Sequence, residues 1–113
     1  MNFEVKTTSE FDKSAKSLAK KYRSFKDDLR DLIVSLEVNP DQGTELSPGI
    51  RKIRMAISSK GRGKSGGARV ITFTIIVSEN TGKVYLMDIY DKADYSTVDV
   101  RIIQKKLTQL GLV

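Results

Sequence analysis

Residues 68–90 read ARVITFTIIVSENTGKVYLMDIY, and the rest of the predicted sheet is built around this stretch. Residues 68–77 are almost continuously apolar and rich in β-branched side chains, which is typical of a central strand buried on both faces. Residues 79–82, ENTG, have the composition of a hairpin turn, and residues 83–90 predict the returning strand. The sequence therefore predicts a β-hairpin at the centre of a sheet.

A further strand is predicted just before this hairpin, at residues 50–57, IRKIRMAI. Side chains alternate along a strand, so its apolar residues share one face while Lys52 and Arg54 lie on the other. Residues 41–49 are rich in turn-forming residues and predict an irregular connection. Residues 58–67 contain four glycines and several basic residues, which predicts a flexible basic loop.

Two consecutive amphipathic helices are predicted nearer the start of the chain. Residues 3–6, FEVK, alternate as a short strand. Apolar side chains then recur at helical spacing over residues 11–22 and again over residues 25–36. Asn39 and Pro40 end the second helix. Two helices joined so closely predict a helical hairpin packed on a common surface.

A third helix closes the predicted fold. Val98 and Leu107 bound its apolar stripe, and Ser96 and Asp99 have the spacing of a capping box. The predicted order is β-α-α-β-β-β-α. We therefore expect a single domain over residues 1–113, of the α+β class, with an antiparallel sheet and helices packed on one face.

Composition narrows the possible chemistry. The chain has 113 residues and contains neither cysteine nor histidine. A disulfide framework, a thiolate metal site and a histidine general base are all excluded. No apolar stretch reaches the length of a membrane span, and the start lacks the pattern of a signal peptide. We expect a soluble cytoplasmic protein that uses neither a metal nor a cofactor.

The distribution of charge is uneven. The chain has 20 basic and 14 acidic residues, and residues 46–78 contain seven of the basic ones and no acidic one. Concentrated positive charge is typical of a site for a polyanion, most often a nucleic acid. The alternative is an ordinary solvated face, but such a face usually interleaves lysine with glutamate. The pattern favours a phosphate-binding surface.

Four cations are expected to converge on this surface. Lys52 and Arg54 share a strand face, Arg69 begins the next strand, and Lys92 follows the last strand. Together they would bind one phosphodiester and stabilise the additional negative charge of a pentavalent transition state at its phosphorus. Taken singly, each has another interpretation as a surface charge, and Arg69 has Asp88 or Asp91 as alternative partners.

The segment Gly63-Lys64-Ser65 also has the appearance of a P-loop end. That motif requires glycine at the position occupied by Ser58 and a helix after the loop, whereas a strand is predicted there. A P-loop is therefore disfavoured.

Three segments carry a resemblance to a known family. They are IRKIR at residues 50–54, KGRGKSGGARVI at residues 60–71, and VYLMDIYDK at residues 84–92. They resemble the RelE/HigB branch of the RelE/ParE toxin superfamily, and the likeness extends over nearly the whole chain. The family consists of the toxins of type II toxin–antitoxin systems. Most of this branch cleave mRNA in the ribosomal A site and use lysine, arginine and sometimes tyrosine.

The resemblance implies a RelE-like microbial RNase fold and roles for particular residues. By position it implies that the catalytic basic cluster is made of Lys52, Arg54, Arg69 and Lys92. Tyr95 would be the tyrosine acid or base, although its register departs from the family pattern, and Tyr90 is the alternative. The remaining basic residues of the region are expected to bind RNA; these are Arg51, Lys60, Arg62 and Lys64.

The resemblance also implies partners: a cognate antitoxin, the ribosome and mRNA. Two other functions stay open at this point. One is a ParE-like toxin that inhibits DNA gyrase. The other is an RNA- or ribosome-binding module without catalysis. The same fold can support these functions as well as the nuclease, so the fold does not distinguish them. An inactive toxin is a further alternative.

Overall fold

The protein is described by a computed structural model covering residues 2–94 and 98–113. It has eight main elements and one 3-10 turn, Ser58–Lys60. In chain order the elements are β1 (Phe3–Thr7), α1 (Ser9–Lys21), α2 (Phe25–Val38), β2 (Thr44–Ser47), β3 (Ile50–Met55), β4 (Ala68–Ser78), β5 (Thr81–Asp91) and α3 (Val100–Gln109).

The predicted hairpin is confirmed and lies near the centre of a five-stranded sheet. The strand order is β1-β5-β4-β3-β2. All neighbouring pairs are antiparallel except β1 and β5, which run parallel. The α+β class is thus confirmed, but the expectation of a purely antiparallel sheet is wrong. β1 and β5 are joined by most of the chain rather than by a tight turn, so no hairpin fixes their relative direction.

The predicted order also lacks one strand. Residues 44–47, expected to be part of an irregular connection, form the edge strand β2 and pair with β3 through a bulge. Gly49 has a φ of +81° and lies so close to the Phe73 ring that a Cβ atom would be 2.9 Å from it. β2 is short, polar and irregular, so the sequence shows no alternation of apolar and polar residues that would predict it.

Helices cover both faces of the sheet, not one face as expected. On the first face, α1 and α2 bury Phe11, Leu18, Phe25 and other apolar residues against the strands. On the second face, α3 buries Ile103 and Leu107. The central strands are apolar on both sides, so each face needs an apolar cover.

The closing helix begins later than the predicted capping box implies, because that box would place Asp99 inside the first turn. Asp99 is the N-cap residue, and its carboxylate accepts a hydrogen bond of 2.9 Å from the Arg101 backbone nitrogen. The other predicted member, Ser96, lies outside the described residues. Asp99 therefore satisfies one of the helix's free N–H groups.

The third helix covers only part of the second face. Its Gln104 side chain donates a 3.1 Å hydrogen bond to the Ser47 hydroxyl at one sheet edge. Its Lys106 forms an ion pair with Glu10 beyond the other edge. The remaining part of this face, where β3 ends and β4 begins, borders an open groove. None of the helices in residues 2–94 and 98–113 combines the length and apolar character needed to cross a membrane.

We predict that Thr72→Val stabilises the protein. Thr72 is fully buried, and its hydroxyl has no hydrogen-bond partner among the described residues. Replacing the hydroxyl by a methyl group of similar size removes a desolvated polar atom, which should raise the free energy of unfolding by about 1 kcal/mol. Urea denaturation measures the change.

The matched control is Thr44→Val on the exposed edge strand, which should change stability by less than about 0.5 kcal/mol. A loss of stability in Thr72→Val would contradict the prediction.

Candidate nucleic-acid interface

An open groove of about 660 Å³ lies at one end of the sheet. It is lined by five cations and five uncharged residues: Lys52, Arg54, Lys64, Arg69, Lys92, Gln42, Gly43, Thr44, Leu46 and Ile53. The structure thus brings together the four cations that were expected to converge and adds Lys64. No carboxylate of residues 2–94 or 98–113 lines this groove. None of the five cations forms an ion pair with a carboxylate in the described part of the chain.

The centre of the groove is a pair of like charges. Arg54 on β3 and Arg69 on β4 are directly opposite each other in the sheet register, and Lys52 lies two residues before Arg54 on the same strand face. Burial, and then the charge of Arg54, lower the pKa of the Arg69 guanidinium. Like charges placed opposite each other destabilise a sheet. A bound anion would relieve this repulsion.

Arg69 is held in place by neutral groups. Its guanidinium donates hydrogen bonds to the backbone carbonyls of Lys64 (3.0 Å), Ser65 (3.1 Å) and Ala68 (3.1 Å), and the residue is 5% exposed. The alternative pairing of Arg69 with Asp88 or Asp91 is not observed. Carbonyl oxygens fix the guanidinium without cancelling its charge, so the side chain is both oriented and available to an anion.

The loop that supplies these carbonyls is anchored at its first residues. Ser58 donates hydrogen bonds to Asp28 from its backbone nitrogen (2.8 Å) and its hydroxyl (2.6 Å), and the Ser59 nitrogen donates to the Ser24 hydroxyl (2.8 Å). Burial favours a raised pKa for Asp28, but the hydrogen bonds from Ser58 and Ser24 outweigh it and lower that pKa. The expectation of a flexible loop is therefore wrong for its first turn.

A second anchor is the buried carboxylate of Asp91 at the end of β5. It accepts a 2.8 Å hydrogen bond from the Lys60 ammonium, a short one from the Tyr22 hydroxyl, and one of 2.9 Å from the Ala93 nitrogen. Burial opposes ionisation, but these hydrogen bonds outweigh it and lower the pKa of Asp91 to about 2. Three separate parts of the chain thus meet at one charge.

This anchor also explains where Lys60 lies. Its side chain is only 10% exposed and pairs with Asp91, and it is not among the groove residues. Lys92, the next residue after Asp91, donates its backbone N–H to the Gly67 carbonyl at 3.0 Å. The loop and the end of β5 are therefore tied together, which places Lys92 at the groove.

The other predicted site residues lie outside the groove or at its base. Arg51 extends to the sheet edge, where its guanidinium is 3.9 Å from the Asp41 carboxylate. Arg62 is exposed on the loop. Tyr90 is directly opposite Arg69 on β5; burial raises its pKa, while Arg69 acts in the opposite direction. Tyr95 lies outside the described residues.

Sequence reasoning missed two parts of the site. One is the wall contributed by Gln42, Thr44 and Leu46, because β2 was not predicted. The other is the pair of acidic anchors, Asp28 and Asp91. Asp28 accepts hydrogen bonds from Ser58, which is 30 residues away in the sequence. Asp91 accepts them from Tyr22 and Lys60, which are 69 and 31 residues away. No local spacing signals such a convergence.

The chain matches no model of a known protein family. Among the residues that the structure describes, no three acidic side chains converge as metal ligands. Fixed cations without a counter-charge give this groove the chemistry to bind an anionic group such as a phosphate.

We predict that Asp91→Asn destabilises the protein near neutral pH by about 3 kcal/mol, because Lys60 loses its buried counter-charge. The folded-state pKa of Asp91, about 2, is below its ordinary value of 3.8. Its ionisation therefore stabilises the fold fully above about pH 4, and this contribution is lost as the pH falls through about 2.

The stability difference between the parent and Asp91→Asn should accordingly shrink by about 2 kcal/mol on acidification across this range. Urea denaturation at several pH values measures it. Asp31→Asn, at an exposed position of α2, is the matched control. A stability difference that does not change with pH would refute the role given to Asp91.

We also predict that Arg54→Gln raises the free energy of unfolding by about 0.5 kcal/mol, because it removes the repulsion with Arg69. The control, Arg51→Gln, removes an equal charge near Asp41 and should not stabilise the fold. If Arg54→Gln is less stable than the parent, the repulsion is not the dominant interaction of this side chain.

Proposed function

We propose that this chain is an endoribonuclease, the toxin of a type II toxin–antitoxin system, which cleaves mRNA in the ribosomal A site and inhibits translation. The observation that carries the proposal is the carboxylate-free groove, in which Arg54 and Arg69 oppose each other beside Lys52 and Lys92. Such a site matches one phosphodiester of RNA. The sequence resemblance to RelE/HigB toxins supports the biological setting.

The proposed reaction is an attack of a ribose 2′-oxygen on the adjacent phosphorus. A base removes the 2′-hydroxyl proton, the new P–O bond forms, and the bond to the 5′-oxygen breaks after a pentavalent state. The 5′-oxygen takes a proton from an acid, which leaves a 2′,3′-cyclic phosphate and a 5′-hydroxyl. The additional negative charge of the pentavalent state is what fixed cations stabilise.

The geometry favours a division of roles among the groove residues. Arg69 and Arg54 flank the phosphate, since Arg69 is already fixed by loop carbonyls. Lys52 is on the same strand face and serves as the base, or holds the phosphate where the base acts. Lys92 assists the leaving oxygen, with Tyr90 as the alternative donor. Lys64 holds the neighbouring backbone.

The proposal includes a RelE-like microbial RNase fold and an inhibitory antitoxin. The mixed sheet with a helical hairpin on one face and a closing helix on the other supports a common plan, with β2 as an additional edge strand. A groove with five cations and no counter-charge suits an antitoxin segment that carries acidic residues. Neutralising the groove would then block access of RNA.

The test is to induce the protein in a bacterium and to map new 5′ ends of mRNA. We expect cuts within translated regions, in phase with codons, and no cuts after induction of Arg54→Ala/Arg69→Ala. The matched control is Arg30→Ala/Arg101→Ala, which removes two exposed arginines of α2 and α3 and should still cut.

Other results would point elsewhere. Growth arrest without new ends would indicate a ParE-like toxin acting on gyrase. Binding of RNA or ribosomes without arrest or cuts would indicate a non-catalytic module. Cleavage by the Arg54→Ala/Arg69→Ala variant at the parental rate would overturn the assignment of the active site.

A further inference from the structure

The chain has a second basic segment that the groove does not use. Residues 13–26 contain six basic residues and no acidic one: Lys13, Lys16, Lys20, Lys21, Arg23 and Lys26. Outside this segment and residues 46–78, the chain has seven basic residues against all 14 acidic ones. The second segment is therefore as sharply separated from negative charge as the first.

Three of these lysines form a stripe on α1. Lys13, Lys16 and Lys20 follow helical spacing on the side opposite the buried Phe11 and Leu18, and all three are exposed. None of the three forms an ion pair with a carboxylate in residues 2–94 or 98–113. Two acids lie at helical spacing before the stripe: Glu10 is three residues before Lys13, and Asp12 is four residues before Lys16. Glu10 pairs instead with Lys106, and Asp12 forms no ion pair within the described residues.

The stripe leads to the groove. The end of α1 is fixed at the end of β5, where the Tyr22 hydroxyl donates to Asp91 and the Lys21 ammonium is 3.9 Å from the same carboxylate. The next residue, Lys92, lines the groove. The two basic surfaces therefore meet at this end of the sheet, although they lie on its opposite faces.

Positive charge predominates where the two surfaces meet. The carboxylate of Asp91 is fully buried and lies 2.8 Å from the Lys60 ammonium, so its charge is compensated. Asp94 is exposed and acts electrostatically on Lys21. It is outnumbered there by Lys21, Arg23 and Lys92. A flexible polyanion can pass from one surface to the other along a continuous positive path.

We propose that the RNA strand held in the groove continues around the end of the sheet onto α1, where Lys13, Lys16 and Lys20 bind its phosphates. This inference rests on the proposed function, because it takes RNA as the ligand of the groove. The stripe contains no exposed aromatic ring, and the Tyr22 hydroxyl is already engaged by Asp91. It therefore contacts the sugar–phosphate backbone and gives affinity without sequence preference.

The test measures binding without cleavage. The probes are fluorescent 2′-O-methyl RNA strands, in which the attacking hydroxyl is blocked, of about 4 and about 16 nucleotides. The short strand fills the groove alone, and the long one reaches α1. Fluorescence anisotropy gives the affinity of the full chain for each probe over a range of salt concentrations.

We expect Lys13→Gln/Lys16→Gln/Lys20→Gln to weaken binding of the long strand about tenfold at low salt and to reduce the slope of log affinity against log salt by about 2. Binding of the short strand should not change. The corresponding Lys→Arg triple variant keeps the charges and should bind like the parent. Both variants preserve good helix formers, so the fold is retained.

A matched control distinguishes an effect of the α1 lysines from an effect of the net charge of the protein. Lys6→Gln/Lys83→Gln/Lys105→Gln removes the same charge from other surfaces and should leave binding of the long strand near the parental value. Unchanged long-strand binding in the α1 variant, or an equal loss in the control, would overturn the inference. An equal loss for the short strand would also overturn it.

If the groove does not bind RNA, and the proposed function is therefore wrong, the same assay gives a different result. In that case Arg54→Ala/Arg69→Ala would not weaken binding of the short strand, whatever the α1 variant does. If the groove variant loses the short strand while the α1 variant retains the long one, the groove proposal stands and the extended path is wrong.

Discussion

The carboxylate of Asp91 connects three parts of the chain that are far apart in sequence. Tyr22 follows α1, Lys60 is in the 3-10 turn, and Asp91 ends β5. A buried carboxylate without partners would be costly, so these contacts have to form together or not at all. The position of the basic loop, and with it the hydrogen bonds that fix Arg69, depends on this convergence.

The groups that hold the site in place are separate from the charges that line it. Asp28 and Asp91 hold the loop from outside the groove, and neutral carbonyls hold Arg69 within it. A carboxylate inside the groove would also hold the cations, but it would cancel the field that binds a phosphate. Fixed, uncompensated cations need little reorganisation when charge develops on a bound phosphate.

The sequence predicts those parts of the fold that depend on local patterns. The hairpin at residues 68–90, the helices and the face of Lys52 and Arg54 follow from alternation and helical spacing. Local patterns do not predict three other features: the parallel pairing of β1, the edge strand β2, and the placement of α3 on the second face. They depend on contacts between distant segments, and β2 is too short and polar to show a pattern.

The candidate site shows the same division. The clustering of the four expected cations is predictable from adjacent strands. β3 carries Lys52 and Arg54, β4 carries Arg69, and Lys92 directly follows β5. The position of Lys60 is not predictable, because nothing near it in the sequence shows that it will pair with Asp91 away from the groove. A run of basic residues therefore identifies the region where positive charge concentrates, while the buried acids determine which of its members stay without a carboxylate partner.

The incomplete cover of the second sheet face links stability to function. Where α3 covers this face, Ile71, Phe73 and Met87 are buried and stabilise the fold. Where it does not, the same strands carry Arg54 and Arg69 in a repulsive pair. A longer cover of apolar residues would stabilise the sheet further but would close the groove. The uncovered end, with its like charges, therefore lowers the stability of the fold. Such a cost in stability is typical of a binding site.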